Sequence, residues 1–211
     1  MDQKTVREIF VRLRKENADP TTELHYTTPF ELMIAVILSA HSTDKGVNKI
    51  TETLFKAANT PEKILAMGET KLKKAIQSIG LYNSKAAHIM EACKILVEKF
   101  DSQLPNTREG LESLPGVGRK SANVLLNTIF GEHLIGVDTH IFRVSNRTGL
   151  AEGKTPLAVE QKLMEVIPNE FKLHAHHWLV LHGRYICTAK KPKCPACLIS
   201  DLCEYKEKEE R

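Results

Sequence analysis

Apolar residues recur at helical spacing along almost all of this chain, and nowhere do they alternate convincingly with polar ones over the length of a strand. Val6, Ile9, Phe10 and Leu13 set the pattern in the first segment. Thr28-Pro29-Phe30-Glu31 combines a capping box with proline at the first helical position, and opens an apolar helix through Ala40. Thr60-Pro61 and Thr155-Pro156 open two more helices in the same way. Asp44 is placed to cap a helix carrying Val47, Ile50, Leu54 and Phe55, and Leu72, Ile76 and Ile79 mark another that Gly80 ends. Further helices are expected over 84–99, 107–113, 119–130, 138–147 and 171–185, with the 203–211 tail frayed. The expected fold class is all-α with short loops.

The chain is long enough for a full core: 211 residues bury roughly 70% of their extended surface. Hydrophobic residues at 42% and charged ones at 27% exclude global disorder. The longest strongly apolar run, Leu32 to Leu38, is too short to span a bilayer, so no membrane partner is expected. Met1-Asp2-Gln3-Lys4 opens a charged stretch without an apolar h-region, which argues for a cytoplasmic product with reduced thiols. Thirty basic against 26 acidic side chains leave +4, and no quarter of the chain is polybasic. A nucleic-acid surface would have to be gathered by folding.

Leu114-Pro115-Gly116-Val117-Gly118-Arg119-Lys120 joins two helical segments by a very short hairpin. Glycines at alternate positions allow close backbone approach, and the amides at the following helix start can receive a phosphate oxygen. Such a contact holds DNA without reading its sequence. A tight turn with no ligand explains a bare Gly-x-Gly equally well, but the whole string, followed by a lysine, is more specific.

Eighteen residues after Lys120 comes Asp138, in Gly136-Val137-Asp138-Thr139-His140. Both are expected near helix N-termini. There the dipole disfavours a lysine cation and favours an aspartate anion. An amine beside a carboxylate is the equipment for imine chemistry on a carbon at the aldehyde oxidation level. Taken singly, the lysine reads as a surface residue and the aspartate as a helix cap. Their conjunction with the hairpin favours catalysis.

Four of the five cysteines fall within 17 residues, as Cys187-x6-Cys194-x2-Cys197-x5-Cys203. In a reduced compartment this argues for metal over disulfides. Four-cysteine zinc sites usually show two short pairs, and only one is present here. A 4Fe–4S cluster fits the ligand count. Cys93 reads as a buried small hydrophobe, and the histidines at 174, 176, 177 and 182 read as structural.

The hairpin with Lys120, the string Val137-Asp138-Thr139-His140-Ile141-Phe142-Arg143-Val144 and the cysteine spacing together resemble the endonuclease III family, from Pro20 to Cys203. That resemblance implies a two-lobed helix-hairpin-helix DNA glycosylase fold. Residues 22–132 would form a helical-barrel lobe containing the hairpin at about 107–130, and residues 1–21 with 133–211 the lobe carrying a 4Fe–4S loop at 187–203. DNA would lie in the cleft, faced by Lys120 and Asp138. The implied activity is a bifunctional glycosylase and AP lyase, acting as a monomer on duplex DNA with an oxidised pyrimidine or an abasic site. The target nucleotide would leave the stack. The implied DNA contacts are Gly116, Val117, Gly118, Arg119, His140 and Arg143, with Lys190, Lys191 and Lys193 on the metal loop. Leu81 and His41 would fill the gap left by the flipped base. Many relatives carry glutamine where this chain has His41, which leaves the opposite-base preference open. The alternatives are a monofunctional adenine or mismatch glycosylase of the same superfamily, which usually lacks the lysine, and a non-catalytic iron–sulfur DNA-binding protein, which has no use for the Lys120/Asp138 pair.

Overall fold

The computed structural model describes residues 1–207; among them there are eleven α-helices and no strand. The chain divides into two compact units, Thr22–Phe130 and Met1–Thr21 with Gly131–Arg211.

The discontinuous unit holds α1 (Gln3–Glu16), α9 (Thr139–Thr148), α10 (Pro156–Val166) and α11 (Asn169–Tyr185), followed by a loop with one short 3₁₀ turn at Cys194–Ala196. Its core explains why the N-terminal segment returns to the C-terminal one. Phe10 of α1 stacks on Phe171 with centroids 5.7 Å apart, and Trp178 closes the cluster at 6.2 and 6.3 Å. The indole N–H of Trp178 donates to the Asn17 carbonyl at 2.8 Å, so its polar edge is satisfied where α1 ends. Arg12 donates to the Leu198 carbonyl at 3.0 Å and to Asp201 at 2.6 Å, fastening α1 to the cysteine loop.

The other unit holds α2 (Pro29–Ser39), α3 (Asp44–Ala57), α4 (Pro61–Met67), α5 (Glu69–Ile76), α6 (Tyr82–Lys99), α7 (Arg108–Glu112) and α8 (Arg119–Phe130). Every residue of α2 from Phe30 to Leu38 is buried. A helix apolar on all sides must be wrapped on all sides, and α3, α6 and α8 pack against it.

Local chemistry sets the helix starts, with small departures from expectation. Thr28, Thr60 and Thr155 each accept a hydrogen bond from the third amide on, with proline at the first helical position. The box at Thr28 is shifted, because the Glu31 carboxylate accepts from the Thr27 amide and hydroxyl rather than from Thr28. Thr43, not Asp44, caps α3: its hydroxyl accepts from the Gly46 amide, while Asp44 sits in the first turn. The helix expected to run to Gly80 stops at Ile76, and a turn from Ile79 N to Ile76 O takes the chain on. The start of the tail is docked, not frayed. Glu204 N bonds the Thr148 carbonyl at 3.1 Å, and the Arg147 guanidinium lies 5.0 Å from the Tyr205 ring. Residues 208–211 of that expected frayed tail lie outside the described residues.

Candidate functional site

Three sites emerge from these elements: the hairpin with Lys120 and a pair of strained loops in one unit, and Asp138 with the cysteine loop in the other.

The hairpin is anchored by apolar residues at both ends. Leu111, Leu114 and Val117 are buried, and turn bonds run from Leu114 N to Leu111 O and from Val117 N to Leu114 O. The Val117 amide and side chain are therefore spent inside the turn, and its expected DNA contact has no free donor to make it. Gly118 O accepts from Ala122 N at 2.9 Å and begins α8, which leaves Gly118, Arg119 and Lys120 exposed at its start. The two glycines are required for different reasons. Gly116 has φ +87°, and a Cβ there would lie 3.2 Å from Ile37 and 3.3 Å from His88. A Cβ on Gly118 would meet nothing within 4 Å. The protein's own packing does not demand glycine at 118, which is what close approach by an outside group would require. Lys120 makes no hydrogen bond or ion pair among the described residues, so its amine is open to solvent.

The two expected gap-filling residues are both in left-handed backbone, His41 at φ 56° and Leu81 at φ 61°. For a non-glycine residue that costs roughly 1–2 kcal/mol. Leu81 is 63% exposed, an unusual position for a leucine, and His41 is also exposed. The segments 41–49 and 78–80 line a concavity of about 430 Å³. Beneath them lies Lys85, 5% exposed, which sequence reasoning overlooked. Its spacing could have revealed it: with Ile89, Ala92 and Leu96 it continues the buried stripe of α6. Burial lowers its pKa from the usual lysine value.

In the other unit, Ile135 and Val137 are buried and deliver the half-buried Asp138 to the start of α9. Asp138 caps that helix: Oδ1 accepts from the Ile141 amide at 2.8 Å, leaving Oδ2 without a hydrogen bond among the described residues. One carboxylate thus serves the helix with one oxygen only. His140 Nδ1 lies 3.2 Å from Arg143 Nη2. Arginine only donates, so Nδ1 is the acceptor and the ring proton sits on Nε2. Arg143 Nε donates to Cys187 O at 2.9 Å and Nη2 to Gly183 O at 2.7 Å. Its guanidinium, expected on DNA, is turned inward to brace the first cysteine.

Cys187, Cys194, Cys197 and Cys203 line a single cavity, together with Arg147, His182, Ile186 and Tyr205. None is in a disulfide. Four thiols round one cavity are the donor set of a four-cysteine iron–sulfur cluster. Burial, and then the three neighbouring sulfurs, push the Cys197 thiol up to about 11, so four thiolates need a cationic centre to persist together. Two N–H groups are aimed at the sulfurs, Arg147 Nη1 at 3.8 Å from Cys187 and Tyr205 N at 3.5 Å from Cys203, and His182 Nε2 lies 3.7 Å from Cys197. Burial lowers His182 to about 4, so the ring is neutral at neutral pH. Arg147 is a further residue that sequence reasoning missed, and His182, expected to be structural, is buried against the cysteine cavity. Lys190, Lys191 and Lys193 are all exposed on the loop between the first two cysteines. Cys93 is fully buried on α6, as expected of a small hydrophobe.

Comparison with known proteins agrees with this geometry. Residues 34–169 match the HhH-GPD superfamily of base excision DNA repair proteins, and residues 187–203 match the iron–sulfur binding domain of endonuclease III. Endonuclease III of Haemophilus influenzae is 62% identical over 98% of this chain and 99% of its own length. Endonuclease III of Escherichia coli is 58% identical over 95% of each. A solved structure of a trapped endonuclease III–DNA covalent intermediate with an estranged adenine superposes with a TM-score of 0.91 at 41% identity, covering 97% of this chain and 96% of that one. A thermostable thymine-DNA glycosylase shares the fold, with a TM-score of 0.85 at 24% identity. The cofactor is a 4Fe–4S cluster, and the iron–sulfur match spans the segment that contains the four cysteines. The chain belongs to the endonuclease III family of HhH-GPD base excision DNA repair proteins.

Proposed function

We propose that this base excision repair glycosylase and AP lyase removes oxidised pyrimidines, of the thymine glycol type, from duplex DNA, with Lys120 as nucleophile and Asp138 as its carboxylate partner. The observation that carries the reading is the exposed amine of Lys120 in the first turn of α8, two residues after a glycine that the protein's own packing does not require.

The Lys120 amine, as the free base, attacks the anomeric carbon of the flipped nucleotide. The bond to the base breaks, and the base leaves with its electron pair and takes up a proton. Ring opening gives a Schiff base between Lys120 and the sugar. Loss of the C2′ proton then drives β-elimination: the C3′–O bond breaks and the 3′ phosphate departs. Water releases the lysine. Asp138 Oδ2 accepts a proton or faces the developing positive charge, while Oδ1 stays on the helix cap. Gly116, Gly118 and Arg119 hold a phosphate at the hairpin. Leu81 and His41 occupy the gap in the stack, and His41 meets the orphaned base. Lys190, Lys191 and Lys193 meet backbone phosphates, and His140 presents its Nε2–H for the same use.

Cys187, Cys194, Cys197 and Cys203 would hold the 4Fe–4S cluster. When bound, that cluster fixes the loop and supplies one-electron chemistry that base removal does not need. The protein acts as a monomer in the cytoplasm, on the nucleoid. No described helix is long and apolar enough to cross a membrane.

Incubation with a duplex containing thymine glycol, followed by borohydride, tests the reading. A covalent protein–DNA adduct that is lost in Lys120→Gln is expected. Base release without an adduct would identify a monofunctional glycosylase, and binding without base release a non-catalytic protein; either overturns the proposal.

A further inference from the structure

The residue beneath the two strained loops has no role in the chemistry above, yet every donor it owns is committed. Lys85 Nζ donates to Leu38 O at 2.9 Å, to Ala40 O, and to Ser42 Oγ at 3.5 Å. An ammonium has three hydrogens, and all three point into one five-residue stretch. That stretch begins in the last turn of α2, so the ammonium also sits at the negative end of that helix. No carboxylate among the described residues is bonded to it; a buried cation without an acidic partner is rare, and this one is satisfied by oxygens of residues 38–42.

The main chain of the same residue holds the other loop. Lys85 N donates to Leu81 O at 3.0 Å, closing the first turn of α6 below Leu81, which caps that helix with no side-chain bond of its own. The two loops also touch each other: a Cβ built on Gly80 would lie 3.4 Å from His41 O. One residue therefore bonds both sides of the concavity at 41–49 and 78–80. Left-handed conformations at a histidine and a leucine persist only where the surroundings over-determine them. Lys85 is the group in common to the two.

We propose that Lys85 is a positioning residue: its side chain locks the His41 loop and its main chain the Leu81 turn, so that both side chains enter the DNA stack as one preformed wedge. The proposal rests on the reading of His41 and Leu81 as gap-filling residues. It concerns how DNA is opened, not how the sugar reacts.

The test uses the iron-loaded protein and a duplex with an abasic-site analogue opposite 2-aminopurine, whose fluorescence reports loss of stacking of the estranged base. Saturating wild-type protein should change the signal, and Leu81→Ala and His41→Ala should reduce the change. Lys85→Met should reduce it to a similar extent at saturation, by about fivefold or more, with a much smaller effect on single-turnover cleavage of a single-stranded abasic oligonucleotide. Lys85→Arg, which keeps donors for the carbonyls, should recover part of the signal. A defect that merely loosened the fold would weaken binding to all substrates alike and leave the saturating signal intact.

A full signal in Lys85→Met, with the signal lost in Leu81→Ala and His41→Ala, overturns the proposal and leaves the gap-filling reading standing. A full signal in all three overturns both. If Lys85→Met does not fold, Ser42→Ala removes one acceptor without burying a new group. It should show a partial loss of signal and faster amide exchange at 40–43, and a wild-type signal with wild-type exchange overturns the proposal.

Discussion

Arg143 Nε donates to the main-chain carbonyl of Cys187 across 2.9 Å, so the helix that Asp138 caps is bonded directly to the first cysteine of the metal loop. The same guanidinium reaches Gly183 O and His140 Nδ1, and Arg147, one turn further on, donates to Thr188 O and Ala189 O. Two arginines on one face of α9 thus fix the chain on either side of Cys187. Arg143→Met leaves carbonyls without their charged donor, at a cost of about 1.5–3 kcal/mol. The variant is expected to melt at lower temperature and to lose iron to a chelator faster than the parent. Because the link works in both directions, removing the iron should speed amide exchange at Ile141, whose N–H Asp138 holds. Unchanged exchange at Ile141 in iron-depleted protein would show that the helix start does not depend on the loop.

The two hairpin glycines are expected to fail differently. Gly116→Ala puts a Cβ on a backbone with φ +87° and presses it against Ile37 and His88. The expected loss is about 1–2 kcal/mol of stability. Gly118→Ala meets open space, so the melting temperature should be retained. Its defect should appear in DNA binding, as about a tenfold weaker Kd that is similar for damaged and undamaged duplex, since a phosphate contact carries no sequence. Thermal melting and fluorescence anisotropy on both variants separate the two effects.

What was legible in the sequence was mostly local. A threonine before a proline determines a helix start within four residues, and the structure keeps Thr28, Thr60 and Thr155 as caps. The cysteine spacing is equally local, because the ligands lie on one loop. Asp44 was mistaken for a cap because Thr43 and Asp44 are both good cap residues, and only the backbone at Thr43 decides between them. Bonds between distant residues left no such trace. Lys85 meets Leu38 across 47 positions and Arg143 meets Cys187 across 44, and nothing in either segment names its partner. The docking of Glu204 on Thr148 was hidden for the same reason, and composition alone made the tail read as frayed.

Acid should destabilise the protein through His177. Burial, and then the neighbouring His174, lower it from 6.5 to about 4, with Asp19 opposing. The unfolded chain then binds a proton below pH 6.5 that the folded chain refuses until about 4. The stability is present above pH 6.5 and is lost as the pH falls towards 4, at about 1.4 kcal/mol per pH unit for one such group. His177→Phe keeps a ring of similar size and cannot take up a proton. Its unfolding free energy should fall less steeply between pH 6.5 and 4 than that of the parent, by urea titration at several pH values. Parallel slopes would show that His177 is not the group that titrates.

Asp138 offers a way to separate what holds the fold from what does the chemistry. Its Oδ1 accepts the Ile141 amide at 2.8 Å, a duty that an asparagine carbonyl can perform equally well. Asp138→Asn should therefore melt close to the parent. The charge is absent in that variant, and with it the group that takes a proton or faces the cation. Schiff-base formation should slow by about 10²-fold or more, in the range of general acid–base effects. Asp138→Ala loses the cap as well and should be destabilised by about 1 kcal/mol relative to Asp138→Asn. Both variants should be equally slow in single-turnover trapping with borohydride, because neither has a carboxylate. If Asp138→Asn trapped at the parent's rate, the aspartate would be a helix cap alone; if it melted as low as Asp138→Ala, the charge and not the hydrogen bond would be holding the helix start.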